Sequence, residues 1–591
     1  LKNLKEQFPD QKITLVFGCG GNRDQNKRAK MGKIADLLSN KIYLTDDNPR
    51  NENPKIIRNE IKANISKKKI IEIPSRKIAI KTAISNTKSD EIVLVAGKGH
   101  EIYQEYKKKK YFSDKECIKE SIKEKNITLN NNWKINILEE KIKNKFSKNI
   151  IINKACINSK EVKKNNIFFG VKGKKLDGNR FANEAIQKGA AISIIDKNYK
   201  KKHKKKIKVN NSLNFLSDCS NKVRISSDII AIAITGSAGK TSVKELLGQS
   251  LNKAYDTIYS IKSFNNKYGV PISLFNIERK HKFGVFEIGM DKKGEIDKLS
   301  KIIQPDIGVI TNISYAHSKN FKNLLGIAKA KSEIINNIVE KGTIVLNADD
   351  RFYNFFRIKA LKKKLEVISF SKKNRSDIKL EKIINKKNST ILKVNIYGNL
   401  KKFIVKKELE THAENILACL SVISKLIDVN NLKDKFFFNY DFPKGRGDYN
   451  CIKIKKKRIH LIDESYNSNP LSLELAIKKF DKIKSKSNRK IVLLGDMLEL
   501  GKFSKKLHID AAKTINNTNI SKVYVFGKNI ISTFNKIRPQ KKGMILRSKK
   551  EVLNFINNDI KNNEYIMIKG SNSTGLNNIA KTIKLGKLNA I

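Results

Sequence analysis

Residues 235–242, Thr-Gly-Ser-Ala-Gly-Lys-Thr-Ser, carry the residue types of a phosphate-binding loop. The loop follows an apolar run, 229–234, that predicts a strand, and it precedes a helical pattern at 243–251. Its glycines let backbone N–H groups close around phosphate oxygens, Lys240 supplies a cation, and the Thr241 hydroxyl can bind Mg²⁺. Because the spacing G-x-x-G-K-T is shorter than the usual pattern, an ordinary helix-capping turn is the alternative interpretation.

Polar residues at the ends of the next predicted elements extend this pattern. Glu287 ends a predicted strand, a position that suits a Mg²⁺ ligand. A second strand leads to Asn312 and then His317, and a predicted helix carries Lys331. Taken singly, Glu287 could be a helix cap and His317 a surface residue. Their occurrence together after a phosphate loop favours a nucleotide site.

The elements that must position these residues alternate between strand and helix along the whole chain. Such alternation predicts an α/β, multidomain protein with parallel sheets and Rossmann-like outer domains. We expect domains at 1–126, 131–225, 226–436 and 437–591, with a Lys/Asn-rich connector at 123–132. The first and last domains share a layout in which strands lead into Gly-rich turns, which indicates two copies of one domain type.

Composition limits the possible classes of protein. The formal charge of +66 comes mostly from lysines along the whole length, and the lysine runs contain no interleaved aromatic residues. We therefore interpret the charge as solvated surface that favours anionic substrates, and expect no nucleic-acid partner. The 6 cysteines form no C-x-x-C pair. No apolar stretch is long enough for a membrane span and the first ten residues are charged, so the sequence predicts a cytoplasmic protein.

Several motifs in residues 131–591 together resemble the Mur ligases, the ATP-dependent amide-bond formers of peptidoglycan precursor synthesis. The motifs are TGSAGKTS (235–242), SFNNKYGVP (263–271), EIGMDKKGEI (287–296), TNISYAH (311–317), IAKAKSEI (327–334), PKGRGD (443–448), IDESYNSNP (462–470), LLGDMLELG (493–501) and IKGSNS (568–573). SYNSNP and GDMLELG are typical of the branch that adds D-alanyl-D-alanine to a UDP-MurNAc-tripeptide. The resemblance thus implies this dipeptide and this UDP-linked precursor as substrates, with ATP and Mg²⁺ as cofactors.

The resemblance also implies roles for individual residues. The ATP-binding residues would be Gly236, Ser237, Ala238, Gly239, Lys240, Thr241, Ser242, Asn312, Asn415, Arg446 and Asp463. Metal ions would be held by Thr241, Glu287, His317 and a carbamylated Lys331, and the catalytic residues would be Lys240, Lys331, His317 and Glu287. Substrate contacts would come from Ser159, Asn265, Asn266, Asn467 and Asn469.

Residues 1–126 resemble the C-terminal domain of another Mur ligase branch, the one that adds diaminopimelate as the third amino acid. The matching strings are FGCGGNRD (17–24), DNPR (47–50) and AGKGHE (96–101). By this resemblance Arg23, Asp47, Asn48, Arg50, Gly97 and Glu101 form a vestigial diaminopimelate site. No phosphate-loop pattern precedes these residues and the domain's usual first strand is missing. We therefore expect the tail of a first ligase, fused to a second one, with the missing part on the same polypeptide.

The implied reaction activates the tripeptide carboxylate as an acyl phosphate, which the dipeptide amine then attacks. Catalysis would rest on positioning and charge neutralisation, with water excluded. Three alternatives stay open at this stage. They are another ligase of the superfamily (diaminopimelate-adding or folylpolyglutamate type), a nucleic-acid-stimulated phosphate-loop ATPase, and a non-catalytic scaffold that binds wall precursors.

Overall fold

The computed structural model describes residues 1–591 apart from 89, 147–149, 174–175, 200–202, 262, 441–444, 455–456, 484–488 and 586–591, and apart from the side chains of Glu408 and Thr411. The chain divides into two compact units, residues 1–139 with 145–153 and residues 140–144 with 154–591. Within the described residues, no helix combines the length and apolarity that a membrane crossing requires.

The first unit contains a parallel sheet between two layers of helices. Its strands are β1 (Lys12–Phe17), β2 (Lys41–Leu44), β3 (Ile70–Glu72) and β4 (Glu91–Val95), followed by the antiparallel ribbon β5 (Tyr103–Tyr106) and β6 (Lys108–Tyr111). Its helices are α1 (Lys2–Gln7), α2 (Asn26–Leu38), α3 (Pro54–Lys62), α4 (Arg76–Asn86) and α5 (Asp114–Ile142). The strand order is β3-β2-β1-β4. Leu15 and Phe17 pack towards α2 and α3, and Val16 packs towards α4, because successive side chains point to opposite faces.

The connector predicted at 123–132 is wrong, because these residues lie inside the helix α5. The segment contains no glycine or proline, so nothing in it interrupts the helix. Trp133 and Ile137, one turn apart, are buried on its inner face.

The second unit begins with a small parallel sheet, of strand order β10-β9-β8-β7. Its elements are β7 (Ala155–Cys156), β8 (Ile167–Phe169), β9 (Ile192–Asp196), β10 (Lys206–Val209), α6 (Ala182–Gln187) and α7 (Ser212–Ile225).

The central sheet of the second unit has the strand order β12-β13-β11-β14-β15-β16-β17-β18-β19. Its strands are β11 (Ile230–Thr235), β12 (Thr257–Tyr259), β13 (Phe283–Glu287), β14 (Ile307–Ile310), β15 (Thr343–Asn347), β16 (Glu366–Ser371), β17 (Ile378–Asn385), β18 (Ser389–Ile396) and β19 (Asn399–Lys406). Its helices are α8 (Lys240–Leu251), α9 (Gly269–Phe275), α10 (Glu295–Ile303), α11 (Leu324–Lys331), α12 (Glu333–Asn336), α13 (Tyr353–Lys362) and α14 (Ala413–Leu426). The sheet is parallel as far as β17, and β18 and β19 continue it antiparallel. The helices α8 and α14 pack on one face, against Val285 and Val309.

The C-terminal sheet has the strand order β20-β21-β25-β22-β23-β24 and is parallel except for β20. Its strands are β20 (Asp448–Ile454), β21 (Lys457–Glu464), β22 (Lys490–Gly495), β23 (Lys522–Phe526), β24 (Lys542–Leu546) and β25 (Tyr565–Lys569). Its helices are α15 (Pro470–Asp481), α16 (Ser504–Asn516), α17 (Ile531–Lys536), α18 (Lys549–Asn558) and α19 (Leu576–Lys584). Apolar clusters cover both faces of this sheet. The predicted α/β class with parallel sheets is confirmed.

Candidate active site

The phosphate loop lies at the carboxyl end of β11, between two neighbouring strands of the central sheet. β11 pairs in parallel with β13, where Ile234 is opposite Glu287, and with β14, where Thr235 is opposite Ile310. Because parallel strands bring their carboxyl ends to one edge, the residues that end β13 and follow β14 reach the loop.

Side chains after β14 fix the shape of this loop. The Ala238 N–H donates to Asn312 Oδ1 at 2.9 Å, and the Thr311 hydroxyl donates to the Ala238 carbonyl at 2.6 Å. A Cβ on Gly236, whose φ is +147°, would lie 1.9 Å from Thr311 Oγ1. Gly239, with φ +84°, is the N-cap residue that directly precedes α8. Glycine is therefore required at both positions, as the phosphate-loop interpretation predicts.

Glu287 lies beside the first turn of α8, as the sequence predicts for a metal ligand. The Thr241 hydroxyl donates to Glu287 Oε2 at 2.7 Å, and Asn265 Nδ2 donates to Glu287 Oε1 at 2.8 Å. The carboxylate is buried. A buried carboxylate and a hydroxyl next to a phosphate loop are oxygen ligands of the kind that Mg²⁺ prefers, so these residues fit the ion.

Two lysines converge on one carbonyl of the loop. Lys240 Nζ and Lys331 Nζ donate to the Gly236 carbonyl at 2.7 and 2.9 Å. Burial lowers the pKa of Lys240, which Glu287 opposes. Burial, and then the neighbouring Lys240, hold the pKa of Lys331 well below its usual range. Lys331 is therefore biased towards its neutral amine, which is the form that reacts with CO₂ to give a carbamate.

The segment before the C-terminal sheet contributes a cation to the same place. Arg446 Nη2 donates to Thr241 Oγ1 at 3.0 Å, and the guanidinium lies 4.4 Å from the centre of the Tyr466 ring. The Tyr466 hydroxyl in turn donates to Ser263 Oγ at 2.6 Å. Residues next to the central sheet and residues next to the C-terminal sheet thus meet at the first turn of α8.

The start of α15 also reaches the phosphate loop. Asn469 Nδ2 donates to the Ser237 carbonyl at 3.3 Å, while Asn469 caps α15 by accepting from the Ser472 N–H at 2.8 Å. Asn467, two residues earlier, is exposed, and its carbonyl accepts from Lys569 Nζ at 3.1 Å. Capping therefore sets the distance between α15 and the loop.

Asn415 lies over the start of α8. A Cβ on Gly239 would lie 2.7 Å from Asn415 Oδ1, and Asn415 Nδ2 donates to His412 Nδ1 at 3.2 Å. Burial, with Lys479 and Arg446 nearby, lowers the pKa of His412 to about 3. His412 is therefore neutral at pH 7 and can accept the Asn415 hydrogen bond.

His317 lies in a group that the sequence did not predict. His317 Nδ1 is 2.5 Å from Glu499 Oε2 and 3.2 Å from Asp291 Oδ1. Burial lowers the pKa of His317, but contacts with the two carboxylates outweigh it and raise the pKa. Lys240 is close enough to oppose this protonation. A histidine and two carboxylates whose ligand atoms lie this close could hold a divalent ion.

In the first unit, a buried lysine organises part of the predicted diaminopimelate site. Lys98 Nζ donates to Asn48 Oδ1 at 2.8 Å and lies 3.4 Å from Glu101 Oε2 and 3.7 Å from Asp47 Oδ1. Asn48 Nδ2 donates to Glu101 Oε2 at 2.8 Å. The structure thus brings Asp47, Asn48 and Glu101 together. The sequence reasoning gave Lys98 no role, although a lysine within AGKGHE was a visible signal.

The remaining residues of that predicted site surround this group. A Cβ on Gly97, at φ +119°, would lie 2.6 Å from Asp47 Oδ2. Arg50, at φ +53°, places its Nε 3.5 Å from Glu105 Oε2, and Arg23 is exposed. Burial raises the pKa of Asp47, although nearby Arg76 and Lys98 oppose this.

Comparison with known families decides the identity. The model of the Mur ligase middle domain matches residues 234–423, and that of the Mur ligase family catalytic domain matches 152–224. The model of the Mur ligase glutamate ligase domain matches twice, at 1–99 and 451–572. A UDP-N-acetylmuramoyl-tripeptide–D-alanyl-D-alanine ligase of Buchnera aphidicola subsp. Baizongia pistaciae is 31% identical over 438 residues, or 73% of this chain and 93% of the relative. The chain belongs to the Mur ligase family.

Other relatives agree with this placement. The enzyme of the same name from Rickettsia prowazekii is 30% identical over 457 residues, or 76% of this chain and 98% of that one. A UDP-N-acetylmuramoyl-L-alanyl-D-glutamate–2,6-diaminopimelate ligase of Rickettsia montanensis is 52% identical over 124 residues, which are 21% of this chain and 26% of the relative. The crystal structure of MurF from Acinetobacter baumannii shares the fold, with a TM-score of 0.67 at 23% identity over 76% of this chain and 98% of that one. The expected repetition of one domain type is confirmed by the double match of the glutamate ligase domain.

Other predicted residues of this Mur ligase hold local structure. Asp463 Oδ2 lies 2.6 Å from Lys584 Nζ, and Oδ1 accepts from Ser465. Ser159, beside the small sheet, donates to Glu184 Oε2 at 3.1 Å. Asn266 Oδ1 accepts from the N–H groups of Tyr268 and Gly269, at the start of α9, and Ser242 is buried in α8. Their contacts with ATP or substrate stay predictions, and Pro443 and Lys444 of the PKGRGD motif lie outside the described residues.

Proposed function

We infer that residues 131–591 form an ATP-dependent ligase of peptidoglycan precursor synthesis, which adds D-alanyl-D-alanine to a UDP-N-acetylmuramoyl-tripeptide. The observation that carries this inference is the match to relatives with that name over 93% and 98% of their lengths, with the phosphate loop inside the matched region. The enzyme uses ATP and Mg²⁺.

The phosphate loop holds the triphosphate in this proposal. Backbone N–H groups of residues 236–242 surround phosphate oxygens, and Lys240 neutralises charge on the terminal phosphates. Lys240 now donates to the Gly236 carbonyl, a contact that a bound phosphate would replace. Asn312 and Asn415 keep the loop and the start of α8 in shape on either side.

Thr241 and Glu287 would hold one Mg²⁺, and His317 with carbamylated Lys331 would hold a second. The ions would neutralise charge on the transferred phosphoryl group. Carbamylation would join Lys331 Nζ to the carbon of CO₂ with loss of a proton, which converts the lysine side chain into an anion with a carboxylate group. The neutral bias of Lys331 supports this step.

The reaction then needs two displacements at one place. A carboxylate oxygen of the tripeptide attacks the γ-phosphorus, the bond to the β-phosphate oxygen breaks, and ADP leaves. The dipeptide amine attacks the carbonyl carbon of the acyl phosphate, and phosphate leaves as the amine loses its proton. Arg446, beside Thr241, adds positive charge where the γ-phosphate lies. Asn467 and Asn469 line the acceptor side, and Ser159, Asn265 and Asn266 contact the precursor.

Residues 1–126 of the first unit are, in our proposal, the C-terminal part of a diaminopimelate-adding ligase that was fused ahead of the second enzyme. The 52% identity to such a ligase supports this, although the match spans about a quarter of that relative. Arg23 and Arg50 would bind a carboxylate, and Asn48 and Glu101 the amino-acid head group. The tripeptide would then end in diaminopimelate. The cytoplasmic location stays a prediction.

Phosphate release by the full chain tests the activity. ATP, Mg²⁺, UDP-MurNAc-tripeptide and D-Ala-D-Ala are supplied together and with each peptide substrate omitted. We expect release only with both substrates, and near-complete loss in Lys240→Ala. Lys329→Ala is the control for Lys240→Ala, because it makes the same substitution at an exposed lysine, on α11.

Three results would contradict the proposal. Turnover that RNA stimulates, without need of either peptide substrate, would indicate a nucleic-acid-dependent ATPase. Turnover with another amino-acid acceptor but not with D-Ala-D-Ala would assign a different ligase of the superfamily. Binding of precursor without any phosphate release would indicate a scaffold.

A further inference from the structure

Among the described residues, one buried ammonium of the C-terminal region has no hydrogen-bond partner. Lys479 lies in the last turn of α15, and its Nζ is buried without a partner in the described part of the chain. Its neighbour Lys478 is exposed and pairs with Glu474 at 2.5 Å. The two lysines of one helix turn therefore differ: Lys478 is a surface residue, whereas Lys479 points into the protein.

The Lys479 ammonium lies close to the backbone of Gly447. A Cβ on Gly447, at φ +93°, would lie 3.0 Å from Lys479 Nζ and 2.9 Å from Glu464 Oε1. Gly447 directly follows Arg446, which donates to Thr241 at the start of α8. Lys479 thus lies next to the segment that delivers the arginine to the phosphate loop.

A second side chain confirms this direction. His412, which bonds to Asn415 above the phosphate loop, has its pKa lowered by burial and then by Lys479 and Arg446. Glu464, which lies beside the same Gly447, is 3.5 Å from Lys569 and forms no ion pair with Lys479 among the described residues. The Lys479 ammonium therefore lies close to Arg446 and His412 without a hydrogen-bonded counter-ion in the described part of the chain.

A buried, unpaired ammonium is costly, and it is tolerated where an anion binds it. We propose that Lys479 is a further nucleotide-binding residue, which donates charged hydrogen bonds to the phosphate oxygens of ATP. This rests on the proposed function, which places the triphosphate beside Lys240 and Arg446. The competing explanation is structural, since a cation in the last turn of a helix favours the helix dipole.

The two explanations predict opposite effects of Lys479→Met on the protein without nucleotide. If Lys479 serves the phosphates, the variant removes a buried unpaired charge, and the melting temperature of the free protein stays unchanged or rises. Its affinity for ATP falls nevertheless. If Lys479 serves the helix, the melting temperature falls and the ATP affinity does not change.

The experiment is calorimetric titration of the full chain with MgATP, in the absence of both peptide substrates, and separately with adenosine. We expect Lys479→Met and Lys479→Gln to raise the ATP dissociation constant about tenfold or more, as loss of a charged hydrogen bond does. Lys479→Arg should retain most of the affinity, and Lys478→Met should match the wild type. Adenosine binding should not change.

An ATP affinity of Lys479→Met within about twofold of the wild type would overturn the inference. So would an equal loss of adenosine binding, or a lowered melting temperature of the free variant that Lys479→Gln repeats. Wild-type protein that binds no MgATP would instead overturn the proposed function, and this inference with it.

Discussion

The contact of Arg446 with the Tyr466 ring gives a prediction whose size follows from the geometry. The guanidinium is 4.4 Å from the ring centre, and the same group donates to Thr241 at 3.0 Å. Arg446→Lys keeps the charge but loses the planar group that stacks and donates along a fixed direction. A cation–π contact contributes about 0.5–2 kcal/mol, and a hydrogen bond about 1 kcal/mol. We expect kcat/KM for ATP to fall roughly five- to thirtyfold, which corresponds to a loss of about 1–2 kcal/mol of transition-state stabilisation.

A double-mutant cycle separates the stack from the rest. Tyr466→Leu removes the ring and the hydroxyl bond to Ser263, whereas Tyr466→Phe removes only the hydroxyl. If the ring positions the guanidinium, Arg446→Lys and Tyr466→Leu should be non-additive by about 1 kcal/mol. The coupling should persist in the Tyr466→Phe background, which retains the ring face.

The assay is phosphate release at saturating peptide substrates, with ATP varied. Additivity of Arg446→Lys and Tyr466→Leu to within about 0.3 kcal/mol would refute the stacking argument. A loss in Tyr466→Phe as large as in Tyr466→Leu would move the effect to the hydroxyl bond with Ser263.

Four further predictions follow from the site and the core. Glu287→Gln removes the charge of the proposed metal ligand, so kcat should fall at least about a hundredfold with a higher Mg²⁺ requirement in a Mg²⁺ titration, and an unchanged Mg²⁺ dependence would contradict this. Gly236→Ala forces a Cβ against Thr311, so nucleotide binding measured by calorimetry should be lost while Gly294→Ala, which meets no atom within 4 Å but shares a positive φ, keeps it. His412 has a pKa of about 3 when folded and about 6.5 when unfolded, so the unfolded chain binds the extra proton and folding stability falls as pH drops through this window. In His412→Gln the free energy of unfolding, measured in urea, should fall less steeply with decreasing pH, by up to about 1.4 kcal/mol per pH unit. Parallel stability–pH curves for the variant and the wild type would contradict this. Arg76→Ala leaves the buried Asp114 carboxylate unpaired, so the free energy of unfolding of the first unit, measured in urea, should fall by about 3–5 kcal/mol. Arg76→Lys should lose less, and Lys81→Ala, at an exposed ion pair, should leave this free energy nearly unchanged.

The phosphate loop could be predicted because all of its determinants are local. Strand, glycines, Lys240 and Thr241 lie within one short segment, and their types state the chemistry directly. Glu287 and Asn312 were also accessible, because parallel strands bring residues that follow them to one edge. The structure places both within hydrogen-bonding reach of the loop and its helix.

The continuation of α5 beyond Glu124 could have been predicted and was not. Its lysine and asparagine content was interpreted as a connector, yet composition does not end a helix, whereas glycine and proline do. The signal was the pair Trp133 and Ile137, which are spaced one helical turn apart in a segment that contains no glycine and no proline. Polar content indicates a surface, and periodicity indicates the element.

The surroundings of His317 and Lys479 could not be obtained from the sequence. Asp291 and Glu499 approach His317 from different parts of the chain, and no local pattern relates them. Lys479 differs from Lys478 only in the direction it points from α15, which depends on how that helix packs. Contacts between sheets follow from tertiary packing, so a motif identifies the residue and leaves its partner open.

The two copies of the glutamate ligase domain share one structural feature. Both end a strand or its following turn with a buried lysine, Lys98 in one copy and Lys569 in the other. Lys98 donates to the Asn48 side chain at 2.8 Å and lies 3.4 Å from Glu101.

Lys569 contacts a different loop in the second copy, because Asn467 follows β21 whereas Asn48 follows β2. It donates to the Asn467 carbonyl at 3.1 Å and lies 3.5 Å from Glu464. In each copy, the ammonium ties an asparagine-containing loop to a carboxylate, which is a way to hold a loop at the carboxyl edge of a sheet. What differs is what the loop presents. In the second copy the chain continues to Asn469, which contacts the phosphate loop at Ser237. A buried lysine next to a loop and a carboxylate is therefore shared by the two copies, and the loop that it contacts differs between them.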